Sequence, residues 1–108
     1  MQQAPRSEKE YQEFVESLYS HFPEMLTWKH SITDEELRTG FCVQPQWLPE
    51  IRRLLENLEF LATINLSEKP LFRDFKDKRG HLSIHYDGGD DLADQLIESL
   101  EQSSSNPH

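Results

Sequence analysis

Apolar side chains near the start of the chain recur at a helical period. Tyr11, Phe14, Val15, Leu18, Tyr19 and Phe22 follow one another by steps that keep all six on one face of a 3.6-residue turn. Ser7 stands three residues before Glu10, the spacing at which a hydroxyl and a carboxylate satisfy the first free amides of a helix. The pattern predicts a helix that opens at Ser7 and closes at Pro23. Thr33, Asp34, Glu35 and Glu36 repeat the opening signal and Gly40 supplies a stop, which predicts a second, short helix. A third stripe is the longest: Trp47, Leu48, Ile51, Leu54, Leu55, Leu58 and Leu61, with Pro49 where a first-turn proline is tolerated. It predicts the central core helix.

From Ala62 the period shortens. Thr63-Ile64-Asn65-Leu66 alternates and is expected to form a first strand. Leu71 to Lys76, the polar turn Asp77-Lys78-Arg79-Gly80 and the alternating run His81 to Tyr86 together predict a hairpin over 71–86. Asp87-Gly88-Gly89-Asp90 breaks the second strand. Asp90 or Asp91 then caps a last helix on which Leu92, Leu96, Ile97 and Leu100 share a face. The expected fold is α+β: three helices and a small antiparallel sheet, followed by a C-terminal helix, in a single domain over 1–102. Residues 103–108 carry no apolar anchor and are expected to be a disordered tail.

The stretch Trp47, Leu48, Ile51, Leu54 and Leu55, with the later run Lys76-Asp77-Lys78-Arg79-Gly80-His81-Leu82-Ser83-Ile84-His85-Tyr86-Asp87-Gly88-Gly89-Asp90, resembles a pattern in small, uncharacterised bacterial and phage proteins. That pattern joins a Gly-Trp and leucine-rich helix to Lys-Glu-Lys-x-Gly-x-Leu-x-x-Tyr and an acidic Gly-Gly-Asp turn. The resemblance covers about half of the 108 residues and implies a hairpin followed by a helix. It implies no activity.

Charge narrows the choice of ligand. Twenty acids against 11 bases give a net charge of −9, which disfavours direct binding to nucleic acid, where affinity comes from bases that neutralise phosphates. No segment is apolar for the roughly 20 residues that a membrane crossing needs, and the start has no basic-then-apolar signal pattern. The expected location is cytoplasmic. Cys42 is the one cysteine, so an internal disulfide is excluded and a reducing compartment fits.

Candidate chemistry is sparse. Asp87, Asp90, Asp91 and Asp94 concentrate oxygen ligands, but their spacing does not match a twelve-residue calcium loop, and acids at a helix start are favoured by its exposed amides. No metal or cofactor is expected. His81 and His85 are four strand positions apart, roughly 13 Å, too far to share an ion. Cys42, between Phe41 and Val43, is expected to be a buried core thiol and not a nucleophile. No nucleophile elbow or phosphate loop is present.

The remaining signal is a field of one sign. Asp87, Asp90, Asp91, Asp94, Glu98 and Glu101 fall within fifteen residues that hold no Lys or Arg. Such a surface steers a basic protein, while apolar or aromatic anchors supply most of the affinity. The expected function is therefore non-enzymatic: an acidic inhibitor, like an immunity protein or a phage counter-defence protein, that neutralises a basic toxin or defence-system component. His85 and Trp28 are the expected anchors beside the six acids. Two other readings are a small metal-dependent or Cys/His enzyme and an accessory subunit held by the aromatic first helix.

Overall fold

Helix α1 (Glu8–His21) opens as its first residues dictate, with the Ser7 hydroxyl accepting from the Glu10 amide at 3.1 Å. The Glu10 carboxylate reaches back one residue further than a capping box requires and accepts from the Arg6 amide at 2.8 Å. Pro23 ends α1 and also starts the one-turn helix α2 (Pro23–Leu26). The computed structural model describes residues 4–104. After α2 come β1 (Thr27–Lys29), β2 (Glu36–Arg38), β3 (Gly40–Cys42), a 3-10 turn at Pro45–Trp47, α3 (Leu48–Thr63), β4 (Pro70–Lys78), β5 (His81–Gly88) and α4 (Asp91–Ser104). The fold is α+β, with the hairpin and the final helix where their periodicity puts them.

The hairpin turn follows from backbone sterics. Arg79 and Gly80 both have positive φ, the combination that lets a two-residue turn match the twist of its strands. Asp77 Oδ1 accepts from the Gly80 amide at 2.8 Å and fixes the turn. In β4 the apolar positions fail to alternate because the register slips between Phe72 and Asp74, so that Phe72 and Phe75 both point inward. Phe75 stacks on Phe41 and on Phe72, each at 5.0 Å between ring centres. This aromatic row, with Leu82 and Ile84, is the sheet's contribution to one continuous core. The helices add Val15, Leu18, Met25, Leu26, Leu48, Ile51, Leu55, Leu58, Ala93 and Ile97. Tyr11, Phe14 and Tyr19 are half-buried against the same core, so the aromatic face of α1 is interior.

Several expectations are corrected. Thr33 to Gly40 does not form a helix. Residues 30–35 are instead the turn between β1 and β2, in which Thr33 Oγ1 accepts from the Glu35 amide at 3.3 Å and Asp34 takes positive φ. The hydroxyl caps a turn, because Leu37 and Trp28 pair across a two-stranded sheet and draw the chain into extended form. Nor is Thr63–Leu66 a strand. Helix α3 continues through Thr63 and stops in a two-bond cap: the Asn65 amide donates to Ala62 O, the Leu66 amide donates to Leu61 O, and Asn65 has a φ of 61°. Asparagine tolerates that left-handed position, so it ends the helix as glycine commonly does. The third strand of the larger sheet is β3, which lies parallel to β4, so the sheet is mixed and ordered β3-β4-β5. Three residues containing Gly40 are too few to show a period. At the far end, Ser103 and Ser104 are still helical; the rest of the expected tail, 105–108, lies outside the described residues.

Small sheets leave two edges of unpaired backbone, and here helix side chains bond to backbone groups at both. On the β3 side, Tyr19 donates its hydroxyl to Thr39 O, while Tyr11 accepts from the Val43 amide at 3.0 Å and lies 3.2 Å from Val43 O. On the β5 side, Glu101 of α4 accepts from the Ile84 amide at 2.8 Å. Thr39 itself is 1% exposed and joins the two sheets. Its amide donates to Leu26 O at 2.8 Å, which extends the β1–β2 ladder, and its hydroxyl lies 2.7 Å from Phe72 O, which extends β3–β4 across the bulge. Replacing Thr39 by Val keeps the shape and the amide bond to Leu26 O but removes the hydroxyl donor to Phe72 O. The expected loss is about 1–3 kcal/mol in urea unfolding, with Thr39→Ser retaining most of the parent's stability.

Candidate functional site

The acidic run divides into carboxylates that hold the fold and carboxylates that face solvent. Asp90 precedes α4 and caps it: Oδ1 accepts from the Ala93 amide at 3.1 Å and from the Ser67 hydroxyl at 2.7 Å, while Oδ2 accepts from the Glu68 amide at 3.1 Å. One side chain thus starts the last helix and staples the α3–β4 connection to it. Asp94 accepts from the Tyr86 hydroxyl at 2.8 Å, and Glu101 bonds to β5 as described. Asp87 pairs with Arg73 at 2.6 Å. Asp91 and Glu98 are exposed.

These contacts leave marks on titration. The Ser67 hydroxyl, then the Ala93 and Glu68 amides, hold the Asp90 carboxyl below its ordinary value of 3.8. Burial, followed by the hydrogen bond to Asp94 and the nearby charges of Glu98 and Glu101, pushes the Tyr86 phenol up to about 12. Lys69 bridges Glu24 and Glu59; both carboxylates raise its pKa and its charge is locally matched.

The two expected anchors occupy the other part of the surface. Trp28 on β1 is half-buried under the guanidinium of Arg73, whose carbon sits 4.6 Å from the ring centre. Arg73 is the residue at the β4 bulge, so the slip in register is what aims it at Trp28 on one side and Asp87 on the other. His85 faces out of the sheet, 59% exposed, with Nδ1 at 2.8 Å from Asp74 Oδ1. The structure therefore brings Trp28, Arg73 and Asp87 together, and His85 with Asp74.

Cys42 is exposed, which corrects the expectation of a core thiol. Strand alternation turns Phe41 inward onto Phe75 and Cys42 outward beside Lys76. The thiol lines an open groove of about 600 Å³ with Pro5, Arg6, Tyr11, Val43 and Asp77. No histidine lines it. Across β4 the residue opposite Cys42 is Ser83, and His81 and His85 lie two residues to either side of it, so each is two strand spacings plus two residues from Cys42, more than about 10 Å. That is beyond proton transfer, so the geometry does not assemble a Cys/His pair. Among the described residues no group of three or more His, Cys, Asp or Glu side chains is arranged to hold a metal ion. None of their helices is long and apolar enough to cross a membrane.

Sequence reasoning passed over one surface feature. Phe60, Ile64 and Leu66 are 61%, 44% and 63% exposed at the end of α3. Phe60 and Ile64 fall one turn apart, on the side of the helix away from Leu55 and Leu58, and this departure from the core stripe was the available signal. No family model, curated protein or solved structure matches this chain.

Two titrations follow. Asp90 has a lowered pKa, so its contribution to stability is fully present above 3.8 and is lost as pH falls through the lower folded value. Asp90→Asn should therefore destabilise the fold at neutral pH, by urea unfolding, and the gap from the parent should close only in acid below 3.8. Tyr86 has a raised pKa, so its contribution is complete below 10 and is lost as pH rises through about 12. Burial raises the Tyr11 and Tyr19 phenols as well, so ultraviolet titration should show late ionisation of all three, with the phase near 12 moved toward 10 by Asp94→Asn and lost in Tyr86→Phe.

Proposed function

We infer that this chain is a non-enzymatic binding protein that docks on a basic protein and blocks its working surface. The supporting observation is the acidic sector around α4, where Asp91 and Glu98 remain exposed within a segment, Asp87 to Glu101, that has no Lys or Arg. Carboxylates bound into the fold still contribute to this field, because a hydrogen-bonded carboxylate keeps its charge. Asp90, with its lowered pKa, stays ionised at neutral pH. A fixed array of negative charge attracts a cationic surface from beyond contact range and orients it on approach.

The partner class follows from the same electrostatics. A protein that acts on nucleic acid presents Lys and Arg where phosphates bind. An acidic plug competes for those groups. A toxin or a defence-system component of that kind, met in the cytoplasm, fits this chemistry. Asp91 and Glu98 form the exposed rim in this reading, with Asp87 at its edge paired to Arg73, and Asp90, Asp94 and Glu101 set behind it as the structural part of the field.

Capture at low salt from the cell that makes the protein is expected to return a strongly basic partner. Asp91→Asn with Glu98→Gln should weaken that complex about threefold to tenfold, since a rim charge contributes up to about 1 kcal/mol, and should flatten its salt dependence. A confirmed complex that remains equally tight and equally salt-sensitive in the double variant would remove α4 from the interface.

A further inference from the structure

Resting on the reading above, we propose that Phe60, Ile64 and Leu66 are the apolar anchor of the interface, and that the partner is a basic segment carrying its own exposed apolar side chains. Phe60 and Leu66 each leave more than half of their surface in water, although the core beside them is filled. Contiguous apolar exposure in a small protein marks a contact surface. Aromatic and aliphatic groups inside a charged rim are the usual source of affinity.

The three residues are held ready. The cap that ends α3 fixes Ile64 through its amide to Phe60 O at 3.1 Å and Leu66 through its amide to Leu61 O at 2.9 Å. One residue further, Ser67 and Glu68 are bonded to Asp90. The apolar group is thus tied at one end to the core helix and at the other to the start of the acidic helix. Little conformational freedom remains to be lost on binding.

Charge selects the occupant. From Leu54 to Glu68 the chain contains Glu56, paired with Arg52, Glu59, paired with Lys69, and Glu68, and the Asp90 staple joins Glu68 to the base-free segment 87–101. Lys69, the next residue along, is held by Glu24 and Glu59. A second copy of this chain would bring the same acids against themselves at a net charge of −9 each, and an anionic lipid surface would be repelled likewise. A segment with Lys or Arg around an apolar centre matches both the patch and its rim.

Two peptides test this: a Leu/Lys peptide that forms an amphipathic helix, and a Ser/Lys peptide with the same lysines. The full chain is titrated with each at low salt, read by amide chemical shifts. The Leu/Lys peptide is expected to shift Phe60, Ile64 and Leu66 together with Asp91. Phe60→Ser with Leu66→Ser leaves the net charge unchanged and should weaken that peptide about tenfold or more, while leaving the Ser/Lys affinity as it was. Both side chains are exposed, so the variant should keep the parent's unfolding midpoint.

Equal affinity of parent and variant for the Leu/Lys peptide would overturn the proposal, as would shifts confined to another surface such as the groove at Tyr11 and Cys42. Self-association of the parent that vanishes in the variant would also overturn it, assigning the patch to a second copy. The acidic field is judged separately by the Ser/Lys peptide. If Asp91→Asn with Glu98→Gln leaves its affinity unchanged, the steering role of α4 fails, and the shifts at 60–66 still decide the anchor.

Discussion

One buried threonine lets two small sheets share a single core. A two-stranded ribbon and a three-stranded sheet are each marginal alone, because each leaves too much backbone unpaired for the apolar area it covers. Thr39 lies between β2 and β3 and serves both: its amide continues one ladder and its hydroxyl continues the other. Tyr19 then takes up the Thr39 carbonyl from α1. Three elements and both sheets are thereby fixed around a residue that is 1% exposed. Its partner carbonyl on Phe72 lies at the slip in β4, so the bulge and the junction form one device. That same slip turns Phe72 and Phe75 inward together and aims Arg73 at Trp28.

Bonding at the sheet edges also decides what the acidic helix can do. Glu101 is committed to a strand amide, Asp94 to a phenol and Asp90 to a cap and a loop. Had the six acids of the run 87–101 all stood free, they would repel one another and favour an expanded chain. Several are instead met by amides and hydroxyls that stabilise the charged form, and this allows a dense negative sector to coexist with a folded helix. The field and the fold therefore use the same side chains. Charge removal at Asp90 perturbs both, whereas charge removal at Asp91 or Glu98 perturbs the field without a described structural bond.

The long periodic elements were legible because periodicity is a property of many residues at once. The stripes from Tyr11 to Phe22 and from Trp47 to Leu61, and the alternation from His81 to Tyr86, each report a face that must be buried. The three-residue strands are different. β1, β2 and β3 contain too few positions to show a period, and their extended form is imposed by pairing partners distant in sequence. Thr33 illustrates the ambiguity, since a hydroxyl that caps a helix caps a turn equally well. Cys42 was misplaced for the same reason: its burial depended on which way an unseen strand faced. Of the candidate site residues, spacing identified Asp90 as a possible cap, but it did not reveal the bond to Ser67. Nor did it place Trp28 beneath Arg73. Both contacts join segments far apart in the chain.

An acidic rim beside an apolar patch does more than attract a cation. Apolar contact is nondirectional and would by itself accept a lipid surface, a partly unfolded chain or another copy. Setting Phe60, Ile64 and Leu66 next in the chain to Glu68, which Asp90 ties to the start of the acidic helix, makes those alternatives electrostatically costly. On the proposed reading, specificity arises from this combination: the rim rejects anionic and like-charged surfaces, and the patch rejects cations that bring no apolar group to cover it. The rigid cap at Asn65 and the Asp90 staple matter because such discrimination needs the charged and apolar parts to keep a fixed spacing. Held on a flexible loop, they would engage a partner separately and select much less sharply between partners.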